Sequence, residues 1–242
     1  KGAAKHIPGV KSLLGTATGG TSGSRYCYSI WMRHLRHLSR VGKGVPQVVA
    51  ELGPGDSLGI GLSALLAGSS RLIALDVVRY WKPERNLRLL DELIELFASR
   101  AGIPDNREFP RIFPEIEAYG FPAEIIGESR LRESLAPARI ARIRRELMNP
   151  DHVGNTMISV FVPWSGEHVI QRDSVDLIYS QAVLEHIDDL EGTFHAMQGW
   201  LKVGGLMSHS IDFASHGITP SWNGHWTFSD LEWWIVRGGR RV

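Results

Sequence analysis

Two acids and two glycines form the first candidate site in this sequence. Glu51 ends an apolar run, Gly53 and Gly55 follow it, and Asp76 ends the next apolar run. Glycine lets the backbone turn tightly and lets a ligand approach without a Cβ in the way. An acid beside such a turn suits a ligand that carries a cationic group. The spacing therefore predicts a small-molecule site that uses both a backbone turn and carboxylates.

Two phosphate-binding classes that use glycine turns fit this stretch poorly. A nicotinamide dinucleotide site requires Gly-x-Gly-x-x-Gly, but position 58 is leucine and the next glycine is Gly59. Glu51 would also repel a pyrophosphate group. A phosphate-clamping P-loop is excluded because no Gly-Lys-Ser/Thr follows the turn.

The elements around this turn form a strand, a helix and a second strand. We predict a strand over 47–52, a helix over 57–66 that is capped by Asp56 and Ser57 and ended by Gly68, and a strand over 71–76. This spacing indicates a βαβ unit with a parallel sheet, and therefore an α/β fold. The later predicted elements are strands over 157–162, 174–180 and 206–212, a helix over 190–201 and a turn at 202–205.

Four segments together resemble the successive motifs of class I S-adenosylmethionine-dependent methyltransferases. They are Glu51-Leu-Gly-Pro-Gly-Asp56, Leu75-Asp76, Val175-Asp-Leu-Ile-Tyr-Ser-Gln-Ala-Val-Leu-Glu-His-Ile187 and Trp200-Leu-Lys-Val-Gly-Gly205. The resemblance covers residues 47–80 and 157–212. It implies a Rossmann-like fold, with a mostly parallel sheet flanked by helices, and S-adenosylmethionine as the cofactor.

The resemblance also assigns cofactor-binding residues. It places Gly53 and Gly55 in the turn under the methionine part of the cofactor, and Glu51 near its cationic groups. It places Asp76 on the two ribose hydroxyls, a role that suits an ionised acid. It places Ser180 and Gln181 beside the sulfonium. Four residues within or next to the motifs complete the expected set: Pro54, Asp56, Ser57 and Val77.

Some of these residues have a structural alternative. Asp76 could instead be the N-cap of a helix, and Glu51 a strand-end acid paired with a nearby base. Trp164, which follows the third predicted strand, is expected either to stack on the adenine or to pack in the core.

Methyl transfer from a sulfonium needs orientation of the acceptor, and a base if the acceptor is a hydroxyl. Ligands of such sheets lie at the carboxyl ends of the strands. The predicted catalytic residues therefore follow the fourth and fifth strands: Asp212, which we favour as the base, His186, which has a packing alternative, and His216. His209 and His225 are further candidate bases, and a core histidine is the alternative interpretation of His209. Asp212 and His216 could also contribute to a magnesium site, but without a clear third ligand we predict no metal.

The remaining segments lie outside the shared core. Residues 1–45 are predicted to form an N-terminal arm and helix, and 46–242 the methyltransferase domain. The arm over 1–24 is interpreted as either flexible or a lid. The amphipathic helix over 25–40 is predicted to cover the sheet edge and to expose Arg33, His34, Arg36 and His37.

A helical insertion is predicted over about 82–155, with helices over 83–100 and 131–147 and an irregular connector over 102–122. Its arginines are interpreted as a solvated helix face or as a cap that recognises a phosphorylated or acidic substrate: Arg130, Arg132, Arg139, Arg142, Arg144 and Arg145. The Trp-rich tail over 213–242 is interpreted either as a loop that binds a polar-ring acceptor or as a hydrophobic plug over the sheet edge. Class I folds close with an antiparallel strand pair after the fifth strand, so we expect C-terminal strands to be missing from this sequence.

Composition narrows the function classes. The 242 residues carry a formal net charge of +1, so no overall field favours nucleic acid or an anionic membrane. One cysteine excludes an intramolecular disulfide and fits a reducing compartment, and no apolar stretch is long enough for membrane insertion. We therefore predict a cytoplasmic protein with a small-molecule acceptor, and leave open a homo-oligomer.

The combined prediction is an S-adenosylmethionine-dependent methyltransferase that O-methylates a small polar acceptor, such as a sugar or glycan precursor. Two alternatives remain open: a natural-product or lipid-precursor methyltransferase with the insertion as an apolar lid, and a non-catalytic module that only binds S-adenosylmethionine.

Overall fold

The computed structural model of this chain describes residues 20–110, 112, 115–164, 166–215 and 218–237, without the side chain of residue 237. Its helices are α1 Ser24–Arg40, α2 Gly59–Ala67, α3 Pro83–Ala98, α4 Ala123–Ile126, α5 Glu128–Ser134, α6 Pro137–Met148, α7 Leu190–Trp200 and α8 Asp230–Arg237. Its strands are β1 Val48–Leu52, β2 Arg71–Leu75, β3 Ile158–Phe161, β4 Val175–Gln181 and β5 Leu201–Ser210. No helix in the described part of the chain is both long and apolar enough to span a membrane.

The five strands form one sheet in the order β3-β2-β1-β4-β5, and all four pairings are parallel. One face packs against α1, α2 and α3, where residues such as Trp31, Leu65 and Leu93 are buried. The other face packs against α7 through Met197 and Trp200. Because both faces are covered, the central strands are almost wholly apolar, as parallel strands usually are. The predicted α/β fold is confirmed.

Helix α1 lies on a sheet face rather than only along the edge that we predicted. Trp31 packs against Tyr179 of β4, with ring centroids 5.6 Å apart, and His34 reaches Ser208 of the edge strand β5. The prediction that Arg33 and His34 are exposed is wrong, since their exposed fractions are 3% and 6%. The guanidinium of Arg33 is accommodated because it donates to the carbonyls of Pro104 and Ile112, among other acceptors.

The insertion is helical, but its second predicted helix is divided. Helix α5 ends at Ser134 and α6 begins with Pro137, whose ring cannot continue a preceding helix. The predicted connector over 102–122 contains no helix or strand among its described residues.

Strand β5 differs most from its prediction. Residues 202–205, expected to form a turn before the strand, lie within β5 as a bulge. Val175 pairs with Leu201 and Leu177 with Leu206, so the β5 segment between the pairs is longer by three residues. Gly204 accommodates this bulge with a φ of +77°.

Candidate functional site

The predicted cofactor residues meet at the edge of the sheet that is formed by the carboxyl ends of its strands. Strand β1 lies between β2 and β4, and all three are parallel, so the segments that follow them emerge side by side. Topological neighbours of this kind form the usual ligand crevice of open α/β sheets. The turn after β1 lies at the centre of this edge, between Asp76 and the pair Ser180 and Gln181.

The glycine turn is held tightly between the two neighbouring segments. The amide of Gly53 donates to the carbonyl oxygen of Leu75 at 2.8 Å, which ties the turn to the end of β2. Gly53 and Gly55 have φ angles of +63° and +70°, in the region that L side chains rarely adopt. A Cβ on Gly53 would lie 2.6 Å from Cγ2 of Val183, in the segment after β4. Glycine is therefore required at position 53 both by conformation and by space.

Asp76 joins the end of β2 to this turn. Its Oδ1 accepts from the amides of Val77 at 2.7 Å and Val78 at 3.3 Å, and its Oδ2 lies 3.4 Å from the amide nitrogen of Gly55. Burial raises the pKa of Asp76, and these three amides act against that rise. The helix N-cap alternative is wrong, because the next helix begins only at Pro83. The long bond to Gly55 leaves Oδ2 capacity for a ligand hydroxyl.

Glu51 lies beneath the turn and is almost completely buried. Its Oε2 accepts from the hydroxyl of Tyr179 at 3.0 Å, and its carboxylate also accepts from the amide of Gly61. Burial raises the pKa of Glu51 to about 8, against the effect of these two bonds. Its partners are a phenol and an amide, so the alternative in which a base neutralises it is wrong.

This burial predicts a pH-dependent stability of the ligand-free protein. Glu51 binds its proton more tightly when folded than when unfolded, where its pKa is near 4.5. We therefore expect the free energy of unfolding to fall between about pH 5 and pH 8, by up to about 1.4 kcal/mol per pH unit from this group. Thermal melts of the wild type and of Glu51→Gln at pH 5, 6.5 and 8 measure the effect.

The Glu51→Gln variant should have a flatter profile and be more stable than the wild type at pH 8. Tyr179→Phe is the matched test of cause: removing the hydroxyl donor should raise the pKa of Glu51 further and preserve the slope. Equal slopes for Glu51→Gln and the wild type would show that Glu51 does not carry the effect.

The N-terminal segment rests on the start of α2. Thr21 Oγ1 accepts from the amide of Asp56 at 3.0 Å, and the Thr21 carbonyl accepts from the hydroxyl of Ser57. The Ser57 hydroxyl oxygen in turn accepts from the amide of Gly59, the first residue of α2, at 3.0 Å. The N-cap position itself is Leu58, so the prediction that the helix begins at 57 with Asp56 and Ser57 as its caps is wrong by two residues. Asp56 and Pro54 are buried in the same turn. Residues 20–22 therefore lie beside the turn; residues 1–19, which make up most of the predicted arm or lid, are outside the described part.

The fourth strand brings two expected residues to the same edge. Ser180 is fully buried, and its hydroxyl oxygen lies 2.8 Å from Nδ1 of His209, its neighbour on β5. Gln181 pairs with Ser210. On the other side of the turn, Val77 is 52% exposed. These positions surround the turn as the resemblance implies.

The two described catalytic candidates, His186 and Asp212, lie in separate segments after β4 and β5. His186 ends a short 3-10 turn, Leu184–His186, that follows β4. Asp212 lies two residues beyond β5 and is exposed; its amide donates to Glu185 Oε1 at 3.3 Å, and its carboxylate accepts from the amide of Ala214 at 2.8 Å. His216 lies outside the described residues. The described residues contain no group of three or more potential metal ligands.

A cavity of about 290 Å³ opens beside these strand ends, between α1 and β5. Its lining includes three histidines, His34, His37 and His209, together with Arg33 and Gln181. The sequence interpretation missed Arg33, His34 and His37 of α1 because it placed them on a solvated face. The signal that could have found them is the helical periodicity of α1, which places Arg33 and His34 next to its apolar face.

Two of the insertion arginines, Arg139 and Arg142, are directed away from this edge. Arg139 donates to the carbonyls of Leu65 at 3.2 Å and Ser69 at 2.5 Å, at the C-terminal end of α2, where a cation is favourable. Arg142 pairs with Glu146, whose carboxylate accepts from the amides at the start of β3. Arg139 and Arg142 therefore stabilise the amino-terminal edge of the sheet, opposite the candidate site.

The aromatic residues divide between core and surface. Trp164 packs against Trp200 at a centroid distance of 5.6 Å, and its amide donates to the carbonyl of Asp76 at 3.1 Å, which supports its core interpretation. In the tail, Trp222 and Trp226 contact each other at 5.2 Å, and both are about 60% exposed.

Comparison with known proteins supports the sequence motifs. A family model described as a methyltransferase domain matches residues 134–208, which run from the end of α5 into β5 and make up less than half of the chain. No curated protein sequence matches the chain.

Two similar solved structures have low similarity scores. One is a protein of Methanococcus maripaludis described as an S-adenosyl-L-methionine-dependent methyltransferase, with 13% identity, a TM-score of 0.37, and coverage of 82% of this chain and 68% of that one. The other is Haemonchus contortus phosphoethanolamine N-methyltransferase 1 in complex with phosphoethanolamine and S-adenosylhomocysteine, with 14% identity and a TM-score of 0.37. The alignment covers 94% of this chain and about a third (34%) of that longer protein. At these scores, neither structure adds to the family match.

Proposed function

We propose that this chain is a class I methyltransferase whose methyl donor is S-adenosylmethionine, and that it methylates a hydroxyl of a small polar acceptor, such as a sugar or glycan precursor. The observation that carries the proposal is the polar cavity between α1 and β5, which shares Gln181 with the expected donor site. A donor and an acceptor could therefore meet at the end of β4.

The residues at the edge of the sheet fit the donor. Asp76 offers a carboxylate oxygen to the ribose hydroxyls, and the turn over Gly53 and Gly55 allows close approach of the methionine part. Glu51 is buried beneath this turn, and a cationic group of the ligand close to it would favour its ionised form. When bound, S-adenosylmethionine supplies a methyl group already activated on a sulfonium, so the protein has to orient the acceptor and remove its proton.

The cavity chemistry favours a hydroxyl acceptor over an amine. None of the described residues that line it is acidic, and Arg33 contributes a positive charge. An ammonium group would meet no carboxylate there, whereas hydroxyls can both donate to and accept from imidazole and serine side chains. The volume lies at the lower end of the range of about 300–1,000 Å³ for small-molecule sites. A single sugar ring or a molecule of similar size suits these limits.

The alternative in which the insertion forms an apolar lid has less support. Its apolar residues, such as Leu131, Ile143 and Leu147, are buried in the main core. They are therefore not available as an apolar acceptor surface.

The wild-type protein should release S-adenosylhomocysteine when incubated with S-adenosylmethionine and a panel of nucleotide sugars and methyl glycosides, but not with simple primary amines of similar size. Release is measured by mass spectrometry, with the methylated product identified in the same samples. Turnover confined to the amines would contradict the hydroxyl proposal. Cofactor binding by calorimetry without any turnover would favour the non-catalytic module.

A further inference from the structure

Gln181 lies where the expected donor site meets the cavity between α1 and β5. It is the last residue of β4, and it follows Ser180, which pairs with Leu52 at the end of β1. Gln181 therefore emerges beside the segment that begins with Gly53. It also belongs to the lining of the cavity. The residue thus lies between the glycine turn and the cavity.

Strand alternation directs the side chain of Gln181 to the α1 face of the sheet. Tyr179, two residues earlier on β4, packs against Trp31 of α1 at a centroid distance of 5.6 Å. Residues two apart on a strand share a face, so Gln181 faces α1 as well. The same face of β5 carries Ser208, whose hydroxyl oxygen lies 2.7 Å from Nδ1 of His34 on α1.

The neighbouring donor-site residue faces the opposite side of the sheet. The hydroxyl oxygen of Ser180 lies 2.8 Å from Nδ1 of His209, and the ring of Phe194 from α7 packs on that imidazole at a centroid distance of 6.2 Å. Ser180 and His209 therefore belong to the α7 face. Of the two expected donor-site residues of β4, Gln181 is the one whose side chain faces the cavity.

The carboxamide of Gln181 has unused hydrogen-bonding capacity. It forms no hydrogen bond to any residue of the described part of the chain, and it is only partly buried. Its oxygen can accept and its NH₂ group can donate, so both are available to a ligand in the cavity. Other polar side chains of the lining are already engaged by protein groups: Arg33 by the carbonyls of Pro104 and Ile112, His34 by Ser208, and His37 by Arg40.

We propose that Gln181 binds the acceptor hydroxyl and determines the preference of the site for hydroxyl over amine acceptors. This inference rests on the proposed function. Oε1 of Gln181 accepts from the acceptor hydroxyl, and its NH₂ group donates to a neighbouring oxygen of the same molecule. A carboxamide is not a base at neutral pH, so Gln181 orients the hydroxyl and does not take its proton.

The preference follows from charge. A neutral carboxamide bonds well to a hydroxyl, but it does not offer an ammonium group the charge-assisted bond that a carboxylate would offer. Arg33 adds a positive charge to the lining, and no described residue of the lining is acidic. Position 181 is therefore the place where a single substitution can supply a carboxylate next to the expected donor.

The first test observes the contact without turnover. The wild type is saturated with S-adenosylhomocysteine, and proton–nitrogen-15 NMR spectra are recorded during titration with the methyl glycosides of the panel. The side-chain amide signals of Gln181, assigned by their absence in Gln181→Leu, should shift. Those of Gln198, which is exposed on α7, should not shift. A compound that the wild type methylates but that leaves the Gln181 signals unchanged would overturn the inference.

The second test uses the first hydroxyl compound of the panel that the wild type methylates. Gln181→Leu should lower kcat/KM about 10-fold to 100-fold, mainly by raising KM, because two hydrogen bonds to the acceptor are lost. The Kd for S-adenosylmethionine, measured by calorimetry, should change by less than about threefold, and Gln198→Leu should behave as the wild type. A Gln181→Leu protein that loses as much donor affinity as acceptor affinity would instead make Gln181 a donor contact.

The third test reverses the preference. In Gln181→Glu the ratio of the affinities for the hydroxyl compound and for a primary amine of similar size should fall about 10-fold, because a carboxylate then faces the ammonium group. An unchanged ratio, together with an unchanged KM in Gln181→Leu, would show that Gln181 does not recognise the acceptor. Gln181→Asn, whose carboxamide is shorter by one methylene, replaces Gln181→Leu if the latter does not fold.

The two proposals fail in different ways. A wild type that methylates only amines, or nothing, contradicts the proposed function and removes the inference with it. A wild type that methylates a hydroxyl compound, with both Gln181 variants retaining its KM and its preference, leaves the proposed function in place and contradicts the inference alone.

Discussion

Asp76→Ala is expected to weaken the binding of S-adenosylmethionine about 100-fold. In the proposed function the carboxylate accepts from two ribose hydroxyls, and hydrogen bonds to a charged group are worth about 1.5–3 kcal/mol each. Loss of both gives at least about 3 kcal/mol, which corresponds to about two orders of magnitude in Kd. Isothermal titration calorimetry of the purified variant measures this change directly.

Two further variants separate the ribose contact from local structure. Asp76 also accepts from the amides of Val77 and Val78, so Asp76→Asn, which keeps one carbonyl oxygen, should weaken binding less than Asp76→Ala. Asp91→Ala, on the surface of α3 where Asp91 pairs with Arg144, should leave the Kd unchanged. An Asp76→Ala protein with wild-type affinity would show that the ribose lies elsewhere.

Gly53→Ala is expected to lower the stability of the protein by about 2–5 kcal/mol and to prevent cofactor binding. A φ of +63° costs a residue with a Cβ about 1–2 kcal/mol. The new Cβ would also lie 2.6 Å from Cγ2 of Val183, and overpacking of this kind costs typically about 1–3 kcal/mol. Thermal unfolding followed by circular dichroism should show a Tm lower by roughly 5–15 °C.

A double-mutant cycle divides this cost into its two causes. In the Val183→Ala background the overlap is removed, so Gly53→Ala should there cost only the conformational part, about 1–2 kcal/mol. Gly120→Ala is the matched control, because its Cβ would have no atom within 4 Å and its φ is not positive. Equal costs of Gly53→Ala in both backgrounds would show that Val183 does not limit the turn.

Much of the sheet could be predicted because its signals are local. The apolar runs that end at Leu52 and Leu75 and the terminating Gly68 give β1, α2 and β2 nearly as observed. The helix over 131–147 was predicted as continuous because its apolar spacing continues across Pro137, where the missing amide divides it. The bulge at 202–205 could not be predicted from a Gly-Gly pair, which suits a turn equally well.

The sequence by itself determined the proposed donor site of this protein. Glycine at 53 and 55 and acids at 51 and 76 are chemical requirements of a turn and of strand ends, and a parallel βαβ unit necessarily brings such ends together. These requirements operate over a few residues, so the order of residue types is sufficient to specify them.

Only the tertiary structure decided the proposed acceptor site. His34 and Ser208 meet although they are 174 positions apart, and the same packing of α1 on β5 buries Arg33 and forms the cavity that His34 and His37 line. Helical periodicity tells which residues of α1 share a face, but not which strand that face covers. The side chains that become partners, and those that line the cavity, depend on that long-range contact.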